Sequence, residues 1–96
     1  MQIADLQAKQ GNVNITAKVI EVGQPREFAK FGNTGKVSTA IIQDSSGQMS
    51  LSLWNEQIDQ IAVGDEVTIA NGFVSEWRGN LQLTTGRMGS MTVKKK

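Results

Sequence analysis

Apolar and polar residues alternate in short runs along the chain, and the runs are punctuated by turn signals. Val13, Ile15, Ala17 and Val19 alternate with Asn14, Thr16 and Lys18, the period of two expected of a half-buried strand. Past Val19 the apolar series shifts to the other parity with Ile20 and Val22, which predicts a bulge or strong bend at that point. Residues 23–36, GQPREFAKFGNTGK, hold one Pro and three Gly and read as a long loop. A second strand over 37–43 ends at Asp44-Ser45-Ser46-Gly47, a turn suited to a hairpin. The third strand is Met49 to Trp54. Asn55 is placed to N-cap a short helical segment carrying Ile58 and Ile61, closed by Val63-Gly64-Asp65. A fourth strand begins near Glu66 and runs through Val67, Ile69, Phe73 and Val74 toward Trp77. Arg78-Gly79 makes the next turn, and Leu81 and Leu83 alternate with Gln82 and Thr84 in a fifth strand. Ile3 and Leu6, in a segment too short for an independent helix, are expected to cap one end.

Five short strands and a single helix between the third and fourth predict an all-β protein, a five-stranded OB-fold Greek-key barrel. A closed barrel also removes the sheet edges that this composition would otherwise expose. At 96 residues there is room for one domain and one core. The domain is expected over 1–89, with 90–96 as a flexible, basic C-terminal tail.

Strand parity locates the chemistry. If Met49, Leu51 and Leu53 face the core, then Ser50, Ser52 and Trp54 face outward, because side chains alternate across a sheet. The alternative is that Trp54, at the strand end, folds under the following helix and seals the barrel. In the fourth strand Val67 and Ile69 share parity with Phe73 and Trp77, so a regular strand would bury all four. Asn71-Gly72 instead signals a bulge. One extra residue there sends Val74 inward and turns Phe73, Ser75 and Trp77 to the face of Trp54. Gly72 would leave bare backbone beside Phe73 for the approach of a flat ligand. Leu81 and Leu83 claim the core in the fifth strand and leave Gln82 and Thr84 outside as hydrogen-bonding neighbours.

The chain has no Cys and no His, which excludes thiol nucleophiles, disulfides, Cys/His zinc sites and imidazole-based triads. Glu56 and Asp59 fit a solvated helix face, and Asp44 and Asp65 fit turns. No catalytic residue, metal ligand or cofactor is therefore expected, and the chain reads as a binding module rather than an enzyme. Formal charge is +1, with ten Lys and Arg against nine Asp and Glu. Lys94, Lys95 and Lys96 account for three of the ten, so the body carries seven against nine, or −2. A duplex binder would normally show a basic excess. Exposed rings offer another route, since a base stacked on an aromatic side chain contributes about 1–3 kcal/mol whatever its hydrogen-bonding edge. Trp54, Phe73 and Trp77 thus point to a single-stranded nucleic acid. Arg26, Lys30 and Lys36 in or beside the first loop, and Arg78 and Arg87 at and after the last hairpin, are candidate phosphate contacts. Phe28 and Phe31 could stack on bases or anchor the first loop. The chain has no apolar run of membrane-spanning length and no basic leader followed by an apolar stretch, so a soluble intracellular protein, cytoplasmic or nucleoid-associated and without membrane partners, is expected.

The stretch Thr39-Ala40-Ile41-Ile42-Gln43-Asp44 through Gly47, with Leu51-Ser52-Leu53-Trp54, Gly64-Asp65, Asn71-Gly72-Phe73 and Arg78 through Arg87, resembles the simple single-OB-fold single-stranded DNA-binding proteins of archaea. It is similar too to the human sensor-of-single-stranded-DNA subunits. The resemblance spans roughly Ile3 to Gly89 and implies that Trp54, Phe73 and Trp77 match the base-stacking aromatics of that family. It also implies a role in DNA replication, recombination or repair through sequence-independent binding and protection of single-stranded DNA. Two departures stand out. Thr84 occupies a position where the human relatives carry a further aromatic residue, and the long tail by which family members recruit repair or replication proteins is not in this sequence, so such partners are expected only if the chain was trimmed. A monomer is expected. An RNA-binding OB module and a protein-interaction subunit that covers Trp54 and Phe73 remain the alternatives.

Overall fold

A computed structural model describes residues 2–30, 32–77, 79–85 and 89–95, leaving out the side chains of Lys30, Asn33 and Trp77. Among the described residues, a 3-10 turn, Ile3–Asp5, precedes seven strands: β1 (Val13–Val22), β2 (Arg26–Lys30), β3 (Asn33–Asp44), β4 (Gly47–Trp54), β5 (Glu66–Trp77), β6 (Asn80–Thr84) and β7 (Ser90–Lys94). One short helix, α1 (Glu56–Asp59), lies between β4 and β5. Strands β1, β3, β4, β6 and β5 follow one another in the sheet, and β5 returns to pair with β1. The ring of five is closed by the parallel pairing of β4 with β6, while its other neighbours are antiparallel. This is the OB-fold barrel, with its helix where the hydrophobic pattern predicts it.

The core follows from alternation. Val13, Ile15, Ala17 and Val19 of β1, Ala40 and Ile42 of β3, Met49, Leu51 and Leu53 of β4, Val67, Ile69 and Val74 of β5, and Leu83 of β6 are buried. Ile3 and Leu6 are buried with them and close one end of the barrel. The β1 register with β3 shifts between Val19 and Glu21, the bulge that the parity change at Ile20 predicts.

Two expectations need correction. The expected loop 23–36 contains a hairpin, because β2 pairs with the start of β3 from Arg26↔Val37 to Lys30↔Asn33. Its described β2 side chains, Arg26 to Ala29, are all exposed, so neither face imposes the apolar period by which a strand is recognised. The expected flexible tail 90–96 begins instead with β7, whose residues pair with β5 from Ala70↔Ser90 to Glu66↔Lys94. Met91 and Val93 pack against the core. Lys95 donates to the buried Asp65 carboxylate at 2.9 Å and to the Gln60 carbonyl at 2.7 Å, so one of the three terminal lysines is held against the α1–β5 connection.

Asp44 joins the β3–β4 turn to the N-terminal segment. Its Oδ1 accepts from the Ser46 hydroxyl and from the Ser46 and Gly47 amides, and its Oδ2 accepts from the Ile3 amide at 2.9 Å. The Ser46 hydroxyl, followed by the Ile3 amide, holds the carboxyl below its ordinary value of 3.8. A carboxyl depressed in the folded state binds fewer protons there than in the unfolded chain. Its stabilisation is therefore complete above that ordinary value and is lost as pH falls through the lower folded value. Urea unfolding of Asp44→Asn between pH 7 and pH 2.5 should show a shallower acid loss of stability than the wild type. Parallel profiles would contradict this role.

Candidate nucleic-acid interface

The outer face of β4, β6 and β5 carries Trp54, Phe73, Gln82 and Thr84, four of the residues singled out by parity. On β4, with Met49, Leu51 and Leu53 inside, Ser50 and Ser52 are half-buried and Trp54 is 44% exposed. The indole therefore stays on the open side and does not seal the barrel. Between the pairs Val13↔Gly72 and Ile15↔Ile69, β1 has one residue, Asn14, and β5 has two, Ala70 and Asn71. The extra residue is accommodated around Asn71, which adopts a φ of 56°. Asn tolerates this left-handed region better than most residues. The inward set changes from Val67 and Ile69 to Gly72 and Val74, and Phe73 emerges 41% exposed.

Gly72 has a different task from the one its sequence position suggests. Its Cα faces the interior, where a Cβ would come within 2.7 Å of Ile69 Cγ2 and 3.1 Å of the Thr84 carbonyl. The glycine makes room for the core behind the bulge rather than for a ligand beside Phe73.

Register sets the spacing of the face. Phe73 pairs with Thr84 and Ser75 with Gln82 across β5 and β6, while Ser50 pairs with Gln82 across β4 and β6. Thr84, Gln82, Ser50 and Ser75 are half-buried, so a polar strip separates the aromatic positions. With strands about 4.8 Å apart and about 3.3 Å of rise per residue, Trp54 and Phe73 lie roughly 12 Å apart at their Cα atoms. They can serve neighbouring planar groups without stacking on each other. Trp77 pairs with Asn80 at the far end of β5, at the register position two beyond Ser75; its side chain is outside the described set. On the side of Phe73 away from β6, Lys9 and Gln10 exchange backbone hydrogen bonds with Val74, and Gly11 lies against the Phe73 ring.

The β2–β3 hairpin overhangs the Trp54 end. Phe28, 37% exposed, meets the Trp54 ring edge-on, with centroids 6.0 Å apart and planes at 84°. Phe28 also covers Gly35, where a Cβ would come within 2.6 Å of its Cζ. It thus packs on its own hairpin and touches the site. Parity could not reveal this contact, because it depends on the hairpin folding back. Phe31, the other ring of that segment, is outside the described residues.

The predicted cations are placed unequally. Arg26 is exposed and shares with Gln82 a groove of about 470 Å³ that is also lined by Gly23, Ser38 and Thr39. The hydrogen bonds from Ser38 Oγ to the Gly23 carbonyl and from the Gly23 amide to the Thr39 carbonyl fix the base of the hairpin there. Lys36 is exposed at the hairpin stem, opposite Glu27. The backbone of Lys30 ends β2, and Arg78 and Arg87 lie outside the described residues. A second groove, about 680 Å³, runs from Trp54 and Thr84 past Asn55, Glu56 and Gln57 to Met91.

Such a face can stack planar groups, donate and accept hydrogen bonds between them, and attract anions at the hairpin. Among the described residues no group of three or more His, Cys, Asp or Glu side chains could hold a metal ion, and no helix is long and apolar enough to cross a membrane.

Residues 5–93 match the family described as single-stranded DNA binding protein Ssb-like, OB fold. The chain is 28% identical over 85 residues to the single-stranded DNA binding protein Ssb of Saccharolobus solfataricus, covering 88% of this chain and 57% of that one. It is 38% identical over 72 residues to replication factor A of Methanothermobacter thermautotrophicus, covering 73% of this chain and 9% of that one. It therefore spans little more than half of one relative and a small part of the other. Among solved structures, a domain of replication protein A from Methanococcus maripaludis superposes with a TM-score of 0.81 at 23% identity, covering 100% of this chain and 96% of that one. The OB domain of Ta0387 from Thermoplasma acidophilum also gives 0.81, at 22% identity, covering 98% and 85%.

Proposed function

We propose, starting from a chain that belongs to the Ssb-like family of single-stranded DNA-binding proteins with an OB fold, that its outer face binds single-stranded DNA by stacking bases on Trp54, Phe73 and Trp77. The family consists of binding proteins, not enzymes. Arg26, Lys30, Lys36, Arg78 and Arg87 guide the phosphates, and Gln82 and Thr84 supply hydrogen bonds between the stacked positions. The observation that carries this reading is the phase change at Asn71, which turns Phe73 outward on the sheet face that also bears Trp54. The strand break spends an apolar ring on solvent while Val74 fills the core in its place. Stacking does not read base identity, so binding is nearly sequence-independent. Coating and protecting exposed strands inside the cell, in replication, recombination or repair, is the role that fits such binding.

The near-neutral charge makes the salt response a suitable test. With about three phosphates neutralised and a slope of roughly 0.7 per contact, a fourfold rise in salt should weaken oligo-dT binding about tenfold to twentyfold. A duplex of the same length should bind much more weakly at every salt concentration, because its bases are already stacked inside the helix. Equal affinity for the duplex, or a salt loss of several hundredfold, would assign binding to charge rather than to the rings.

A further inference from the structure

Trp54 is the last residue of β4, and regular pairing gives out around it. On one side the β3–β4 ladder ends at Val37↔Trp54. On the other, the parallel β4–β6 register among the described residues covers Ser50↔Gln82 and Leu51↔Leu83. The chain then turns sharply at Asn55, which has φ 51° and ψ −114°. A ring at the last residue of a strand is a better stacking platform when its backbone is fixed from both sides.

Two side-chain amides do so. Asn55 Oδ1 accepts from the Lys36 backbone amide at 2.9 Å, and the Asn55 backbone amide donates to the Lys36 carbonyl at 2.9 Å. This pair of bonds adds a rung beyond the end of the β3–β4 ladder. On the opposite side, Gln57 Oε1 accepts from the Trp54 amide at 3.1 Å and Gln57 Nε2 donates to Thr85 Oγ1 at 3.1 Å. Thr85 is buried immediately after β6, so one carboxamide links the end of β4 to the residue that follows β6. A primary amide suits this task because it offers an acceptor and a donor on one planar group. The helix does not account for these residues. Asn55 makes no side-chain cap hydrogen bond, and α1 has four residues, none of them buried.

We infer that Asn55 and Gln57 are positioning residues for the stacking site, acting through Trp54 by tying its backbone to β3 and β6. The inference rests on the stacking reading above. A platform held in place before binding loses less conformational freedom when a base arrives. Neither residue needs to touch DNA to influence affinity.

A double-mutant cycle separates this role from a general structural one. Gln57→Leu keeps the bulk and removes both bonds; Asn55→Gly tolerates the positive φ and removes the side-chain acceptor. Each should weaken oligo-dT binding roughly threefold to tenfold in the wild-type background and have no further effect when Trp54 is already Ala. In a Trp77→Phe background the free protein's remaining tryptophan should show lower fluorescence anisotropy with either substitution, a readout that needs no DNA. An equal loss of affinity with and without Trp54, or an unchanged anisotropy in both variants, would overturn the inference while leaving the stacking reading intact. Trp54→Ala with undiminished affinity would remove both.

Discussion

Replacing Trp54 with Ala is expected to reduce affinity for single-stranded DNA by severalfold to a hundredfold, with little change in the stability of the barrel. The first magnitude is one base–aromatic stack, about 1–3 kcal/mol. The second follows from the position of the ring, 44% exposed and touching Phe28 edge-on rather than filling the core. Losing that edge contact costs at most about 0.5–1.5 kcal/mol beyond the buried area. A substitution that removed mainly packing would show the opposite balance. Titrating both proteins with the same oligonucleotide and melting both in its absence gives the two numbers side by side.

Leu83→Ala should produce the largest loss of stability. Leu83 is fully buried and meets Leu51 of β4 on one side and Val74 of β5 on the other. It therefore sits where the parallel pairing of β4 with β6 closes the ring. Truncating a buried leucine costs about 2–5 kcal/mol, according to how far the site collapses. A domain of this size has a total stability of roughly 5–14 kcal/mol, so a substantial fraction is at stake. The urea midpoint should fall with an unchanged slope. A loss below about 1 kcal/mol would mean that the barrel closes without help from this contact, contrary to the topology.

Most of the barrel could be read from period-two alternation because its strands have one buried and one open face. The same rule located Trp54, since three aliphatic residues of β4 compete for the interior. It also exposed both phase breaks, one by the parity of Ile20 and one by the incompatibility of Ile69 with Val74. The break in β5 lies at Asn71, whose positive φ supplies the turn, while Gly72 serves the interior. Sequence spacing cannot separate these adjacent roles. The β2–β3 hairpin escaped because a strand exposed on both faces carries no apolar period; its visible signal was Gly32, which adopts φ 80° just before β3 begins. In β7 the alternation of Met91 and Val93 was present, obscured by the lysines that follow it. The amides of Asn55 and Gln57 could not be assigned from the chain alone. Their partners, Lys36 and Thr85, are 19 and 28 residues away, and a polar residue after a strand reads equally well as a helix cap.

This arrangement changes the meaning of the near-neutral charge. The described cations of the site, Arg26 and Lys36, lie on the hairpin, whereas the described part of the sheet face carries Trp54, Phe73 and the neutral polar groups of Ser50, Ser75, Gln82 and Thr84. Affinity can then come from stacking, with charge serving to bring the strand to the face and orient it.

The most direct measurement of that claim follows intrinsic tryptophan emission as oligo-dT is added to the wild type and to Trp54→Ala. Stacking predicts saturable quenching in the wild type, with a smaller amplitude and weaker binding in the variant. Emission that stays unchanged at saturation, or identical affinity of the two proteins, would contradict it.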